Sequence, residues 1–142
     1  MIIDQAQPHK TAIIALLLAE KLPTHDLPET LDNFIVAISG AEVIGVAGLE
    51  VYGNYGLLRS VAIRSDFRSQ GIAAKLLRRI DALASLKGLI ELYLLTETAS
   101  DYFERKTYRR IERVEIPEEV QRSSEFSHVC PQSAIAMKKI IL

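Results

Sequence analysis

Between Asn33 and Ile63 the chain carries three apolar segments, NFIVAIS, AEVIGVAGLEVY and LLRSVAI, joined only by a turn at Gly40 and by GNYG. Connections this short leave no room for a crossover, so the three strands are expected to pair antiparallel, as a meander. An amphipathic helix follows at once. In FRSQGIAAKLLRRI and the residues after it, Ile72, Leu76, Ile80, Leu83 and Ala84 recur at helical spacing, while Lys75, Arg78 and Arg79 fall mainly on the other side. Gly88 is an ordinary stop for such a helix.

The rest of the chain adds elements around this unit. MIIDQ reads as a short first strand, and Pro8 suits the first position of a helix running to about Lys21. LPTHDLPET, with two prolines, reads as a loop or a broken short helix. IELYLLT is apolar on both faces and is expected to be a central strand. ASDYFERK reads as a short helix, YRRIERVEI as a strand, PEEVQRSSEF as a helical turn or two, and SAIAMKKIIL as the last strand. The expected class is α+β with a mixed sheet, in a single domain covering residues 1–142. The apolar last strand offers an edge to a partner, so monomer and homodimer both stay open.

Composition narrows the function. With 17 basic and 18 acidic residues the chain lacks the excess of positive charge that nucleic-acid binders carry. Its longest apolar stretch, Ala12 to Ala19, is too short for a membrane span and lacks a signal peptide's flanks. One cysteine, Cys130, cannot make an internal disulfide, so a reducing compartment and a cytoplasmic location are expected. His9, His25 and His128 stand in separate segments without metal-ligand spacing, and no metal is expected.

The start of the amphipathic helix poses a chemical question. Arg68, Ser69, Gln70 and Gly71 precede Ile72 and Ala73, with no acidic residue to offset the partial positive charge of a helix N-terminus. Gly71 admits close approach to the backbone, Ala73 keeps the next position small, and the amides around Gln70 to Ala73 point at one spot beside the Arg68 guanidinium. That set suits a pyrophosphate or a similar anion. The first strand is followed by no Gly-x-Gly-x-x-Gly, and no Gly-x-x-x-x-Gly-Lys-Ser/Thr occurs, which argues against a dinucleotide fold and a phosphate-loop NTPase.

With these residues in hand, the chain resembles the GNAT acyltransferase superfamily over nearly its whole length. The likeness rests on the element order, on LLRSVAI as the fourth strand, on RSQGIA as an Arg/Gln-x-x-Gly-x-Gly/Ala signature, and on LYLLTETASDYFERKTYRRI as the second strand-helix motif. The resemblance implies a mostly antiparallel central sheet with helices on both faces and a splay between the fourth and fifth strands. It also implies an acetyl-CoA site: pyrophosphate on Arg68, Ser69, Gln70, Gly71, Ile72 and Ala73, and the pantetheine arm along Val61, Ala62 and Ile63. Arg78 and Arg79 read most simply as a solvated face, with contact to the 3′-phosphate as the alternative. The tail EFSHVCPQSAIAM is similar to a bacterial branch often associated with arsenic-resistance gene clusters.

Acetyl transfer to a small-molecule amine then sets the requirements. The amine must be neutral, and for a lysine-like amine deprotonation at pH 7 costs roughly 4–5 kcal/mol. The oxyanion needs preset donors, which a strand bulge at Val61 or Ala62 would aim. Many relatives carry Phe-Tyr-x-x-x-Gly-Phe/Tyr, whose tyrosine protonates the thiolate. Here the same stretch reads Tyr102, Phe103, Glu104, Arg105, Lys106, Thr107, Tyr108, so Phe103 holds the acid position beside the cofactor, and Tyr102, one residue off, is either a packing aromatic or the candidate acid. Glu50 and Glu97 are the candidate bases, with ordered water as the alternative. Arg59 is a candidate for an acidic substrate group, such as that of an amino-acid-like, phosphinate- or arsonate-bearing amine. Cys130 is either a buried small hydrophobe or an acyl or arsenic ligand. Two functional readings follow: an N-acetyltransferase, or a CoA-binding module of the same fold that has lost catalysis.

Overall fold

The computed structural model describes residues 1–123 and 133–141. Cys130, His128 and most of the distinctive tail lie outside the described residues, as does the end of PEEVQRSSEF. Among the described residues seven strands form one sheet in the order β1-β2-β3-β4-β5-β7-β6. They are β1 (Ile2–Gln5), β2 (Phe34–Ser39), β3 (Glu42–Tyr52), β4 (Tyr55–Ile63), β5 (Glu91–Thr96), β6 (Arg109–Ile111) and β7 (Ile135–Ile140). The α-helices are α1 (Lys10–Ala19), α2 (Ile72–Leu86), α3 (Ser100–Glu104) and α4 (Glu118–Gln121). The chain divides into two compact units, Met1–Leu49 with Arg59–Leu83, and Glu50–Leu58 with the residues from Ala84 onward.

In the first unit β2 pairs antiparallel with β3, as their short connection requires, and β1 pairs antiparallel with β2 although α1 lies between them in the chain. Gly40 turns the β2–β3 hairpin at φ +63°, a conformation that favours glycine. Ile13, Leu16 and Leu17 of α1 pack on Leu31, Phe34, Val36, Val46 and Ala62 to form one core. The ring of Phe34 lies over Gly48, where a Cβ would sit 2.4 Å from it, so that strand position admits glycine only. Pro8 opens a 3-10 turn (Gln7–His9), and α1 begins after it, at Lys10. The helix ends at Ala19, and Lys21 stands in a left-handed conformation while the Leu22 amide donates to the Leu17 carbonyl. This is the usual C-terminal wrap, carried by lysine in place of glycine.

In the second unit the start of β4 runs parallel to β5 over three residue pairs, Tyr55↔Glu91, Gly56↔Leu92 and Leu57↔Tyr93. Beyond Leu57 and Tyr93 no pairing joins the two strands among the described residues, as a splay requires. β7 pairs antiparallel with β5 along its whole length and with β6 on its other side. This overturns the reading of the last strand as an edge offered to a partner: β7 is interior, paired with β5 throughout and with β6 at Ala136, Met137 and Lys138. Leu57, Tyr93, Ile116, Val120 and Ala136 form the core here. The segment YRRIERVEI is a strand only to Ile111. The Glu112 amide donates to its neighbour Glu115 at 2.7 Å, and a 3-10 turn (Arg113–Glu115) follows. That capping box withdraws the backbone from the ladder.

Candidate active site

The helix that raised the anion question begins at Ile72, four residues later than FRSQG suggests. Arg68 to Gly71 form the turn before it, with Ser69 at φ +64° and Gly71 at φ +77°. The Lys75 amide donates to the Gly71 carbonyl at 3.2 Å, which makes Gly71 the N-cap. The amides of the first helical turn have no partner within the helix, and that turn contains no acidic residue. A Cβ on Gly71 would meet no protein atom within 4 Å. The glycine is therefore needed for its backbone angle, and the space before it is open. Ser69, Gln70 and Gly71 are exposed, Ile72 is buried in the core, and Ala73 is half-buried.

Arg68 does not stand alone. Its guanidinium is ion-paired with Glu20, the residue that caps α1, and its Nε lies 3.5 Å from the Ile63 carbonyl. Arg64 is likewise engaged, with Glu42 and with Asp66, the latter at 2.8 Å. Those hydrogen bonds, Asp66 first, push its pKa above the usual arginine value and hold the Asp66 carboxyl below the usual range.

β4 carries the second irregularity. Ser60 adopts φ +57° inside a strand, one residue before Val61 and Ala62, the positions at which a bulge is expected. A non-glycine residue in this region is strained by roughly 1–2 kcal/mol, and such strain tends to collect where a backbone group has a task. Val61 and Ile63 are half-buried and Ala62 is buried. Arg59, beside Ser60, is buried and bonded to Asp26 at 2.8 Å, with Nε 3.3 Å from the Ser60 hydroxyl. The guanidinium expected to read an acidic substrate thus has an internal carboxylate for a partner.

The second unit holds the candidate acid and bases. Glu50, half-buried on β3, accepts a hydrogen bond from the Tyr52 hydroxyl at 2.9 Å. Glu97 is exposed in the connection between β5 and α3. Phe103 is buried and meets Tyr102 and Tyr108 edge to face, at 5.5 and 5.6 Å. Burial raises the Tyr102 phenol pKa, so it stays protonated at neutral pH. Thr107 adopts φ +71°, a left-handed conformation that favours glycine, here carried by a β-branched residue. Among the described residues no cluster of His, Cys, Asp or Glu is arranged to hold a metal, and no helix is long and apolar enough to cross a membrane.

Glu20, Asp26 and Ser60 escaped the sequence reading. Glu20 and Asp26 lie 48 and 33 residues from their arginines, so nothing local in the sequence announces either pair.

Comparison with known proteins places this geometry. Residues 30–110 match the acetyltransferase (GNAT) domain family. An uncharacterized N-acetyltransferase of Chlorobaculum tepidum is 30% identical over 103 residues, which span 72% of this chain and 66% of the relative, just under two thirds of its length. The N-acetylglutamate synthase of Neisseria gonorrhoeae, solved with coenzyme A and N-acetyl-glutamate, superposes with a TM-score of 0.81 at 18% identity. That match covers 99% of this chain and 35% of the synthase. A Mycobacterium tuberculosis protein solved in complex with CoA gives 0.81 at 22% identity, over 100% of both chains. At these identities the solved structures show a shared fold.

Proposed function

The chain belongs to the GNAT acetyltransferase domain family, and from that premise we propose that it is an N-acetyltransferase moving an acetyl group from acetyl-CoA to the amine of a small molecule. The observation that carries the reading is the run from β4 into α2. A strained Ser60 is followed within eleven residues by an open, glycine-capped helix start with no acid in its first turn. In this proposal the amides from Gln70 to Ala73 hold the diphosphate, and Val61 to Ile63 offer backbone groups to the pantetheine arm.

The chemistry asks little more of the protein. The left-handed backbone at Ser60 turns a following N–H toward the acyl oxygen as charge develops there. Glu50 or water takes the proton of the ammonium, the neutral amine attacks the thioester carbon, and as the C–S bond breaks the proton remaining on nitrogen passes to water or to the departing thiolate. The thiolate departs with no hydroxyl at position 103 to protonate it. A thiol pKa near 8.5 makes it a fair leaving group without one. Glu97, exposed on its loop, is read as a solvated charge. A relative of the same fold binds N-acetyl-glutamate, which favours an amino-acid-like acceptor over an arsonate or phosphinate.

Phe103 favours a second reading, a CoA-binding module without turnover. Two measurements separate them. Acetyl-CoA at a hundred times its dissociation constant should stabilise the fold by about 2.7 kcal/mol, a melting shift of roughly 5–10 °C. Release of free thiol across a panel of amino acids then reports turnover. Binding with no thiol release for any amine supports the module, and no thermal shift would remove both readings.

A further inference from the structure

Three arginines lead into the start of α2, and each has an acidic partner: Arg59 with Asp26, Arg64 with Glu42 and Asp66, Arg68 with Glu20. Only Arg68 lies in the turn that precedes the open amides. Its side chain is 58% exposed while that of Glu20 is 13% exposed. The carboxylate is therefore the anchored member of the pair and the guanidinium the one that faces outward. Glu20 is held at the end of α1, where its amide donates to the Leu16 carbonyl at 3.1 Å. An anion approaching α2 meets a cation whose charge is already balanced by a poorly hydrated carboxylate just behind it.

We propose that Glu20 is a built-in counter-ion that limits the affinity of the α2 N-terminus for the diphosphate of CoA, so that the helix amides do the holding and Arg68 brings no net charge. This rests on the assignment of CoA to that turn. Opposite charges in contact largely cancel at a distance, whereas a lone carboxylate or lone guanidinium there repels or attracts a multiply charged ligand with a force that salt screens. The consequence is a site that releases spent CoA more readily than one with an unpaired arginine. Glu20 acts through Arg68 and so is a positioning residue.

The test is a charge cycle read by calorimetric binding of CoA at low and high salt, using the full chain. Glu20→Gln, which keeps the shape and a hydrogen-bond acceptor, is expected to tighten binding about three- to tenfold and to steepen its salt dependence. Arg68→Gln leaves Glu20 facing the ligand and is expected to weaken binding about tenfold or more. The double variant is expected to return to within about threefold of the parent, because the pair's net charge is unchanged. A double variant as weak as Arg68→Gln, or a Glu20→Gln variant that binds no better than the parent, would overturn the inference. If Arg68→Gln does not fold, Glu20→Gln and its salt slope decide alone. A parent protein that binds no CoA at any salt removes the assignment of the site itself, and the inference with it.

Discussion

Arg59 and Asp26 meet at 2.8 Å with their side chains 0% and 5% exposed, tying the loop after α1 to β4 in the first unit. Neither charge has water to fall back on. Removing one member of such a pair leaves the other buried and unbalanced, which destabilises by about 3–5 kcal/mol. Arg59→Ala is therefore expected to lower the melting temperature by on the order of 10 °C. Replacing both residues with apolar ones of similar size, as in Arg59→Met with Asp26→Leu, should recover most of the loss. Urea titrations of the three variants check this. An Arg59→Ala protein within about 1 kcal/mol of the parent would mean that the pair is not buried in solution.

Thr107 makes the opposite case, a local rule broken at the surface. It is exposed, sits at φ +71°, and follows α3 where the Tyr108 amide returns to the Phe103 carbonyl at 3.1 Å. A β-branched residue is disfavoured in that region by roughly 1–2 kcal/mol. Glycine removes the strain and gives back about 0.5–1 kcal/mol in chain entropy. Thr107→Gly is expected to stabilise by about 0.5–1 kcal/mol, raising the melting temperature by roughly 2–4 °C. A decrease would show that the threonine hydroxyl, 2.5 Å from the Lys106 carbonyl, matters more than the backbone angle.

Thr107 and the two long-range ion pairs, Arg59 with Asp26 and Arg68 with Glu20, also mark where the sequence could and could not be read. The meander was legible because turns at Gly40 and Gly53 and apolar runs are local facts, and α2 because its apolar residues repeat at helical spacing. The mixed sheet and the pause between β4 and β5 agree with the family likeness. The place of β7 between β5 and β6 was not legible, since strand order is decided by non-local pairing and not by period. β6 was read too long because Glu112 and Glu115 resemble exposed strand positions until they are seen capping a turn. At the site, Gly71 announced itself by the missing acid, but Glu20 and Asp26 did not. A carboxylate that pairs across 33 or 48 residues leaves no mark on its neighbours.

Glu91, Tyr93 and Lys138 form a charged cluster on β5 and β7. The Lys138 ammonium lies 2.7 Å from the Glu91 carboxylate, which also accepts from the Tyr93 hydroxyl at 2.8 Å. Burial acts to raise the Glu91 pKa, but the Lys138 and Tyr93 hydrogen bonds outweigh it and hold the carboxyl below the usual range. Burial, then the bond to Glu91, pushes the Tyr93 phenol up. A carboxyl with a depressed folded pKa stabilises fully above its unfolded value, about 4.3 for glutamate, and that stabilisation is lost as pH falls through the folded value. The parent should thus outlast Glu91→Gln by about 1–3 kcal/mol at pH 7, with the gap closing below about pH 4. Melting temperatures of both proteins from neutral to acid pH check the sign. A gap that widens on acidification would contradict it.

Glu50 is the proposed proton acceptor, and its role has a signature that packing alone would not give. Accepting a bond from Tyr52 at 2.9 Å orients its carboxylate, and Glu50→Gln keeps that geometry while removing the basicity. General bases contribute about 10²–10⁴ in rate when the nucleophile arrives protonated. The expected loss is about a hundredfold in kcat/KM at pH 7, shrinking steadily as pH rises toward the acceptor amine's own pKa, near 10.4 for a lysine-like amine. Once the amine is neutral in solution, a base has nothing left to remove before attack. A pH profile of thiol release for parent and variant tests this directly, with the CoA dissociation constant measured alongside. A deficit that stays constant from pH 7 to high pH would assign Glu50 to structure. No deficit at any pH would leave the proton to water, with the tyrosine bond serving only to hold β3.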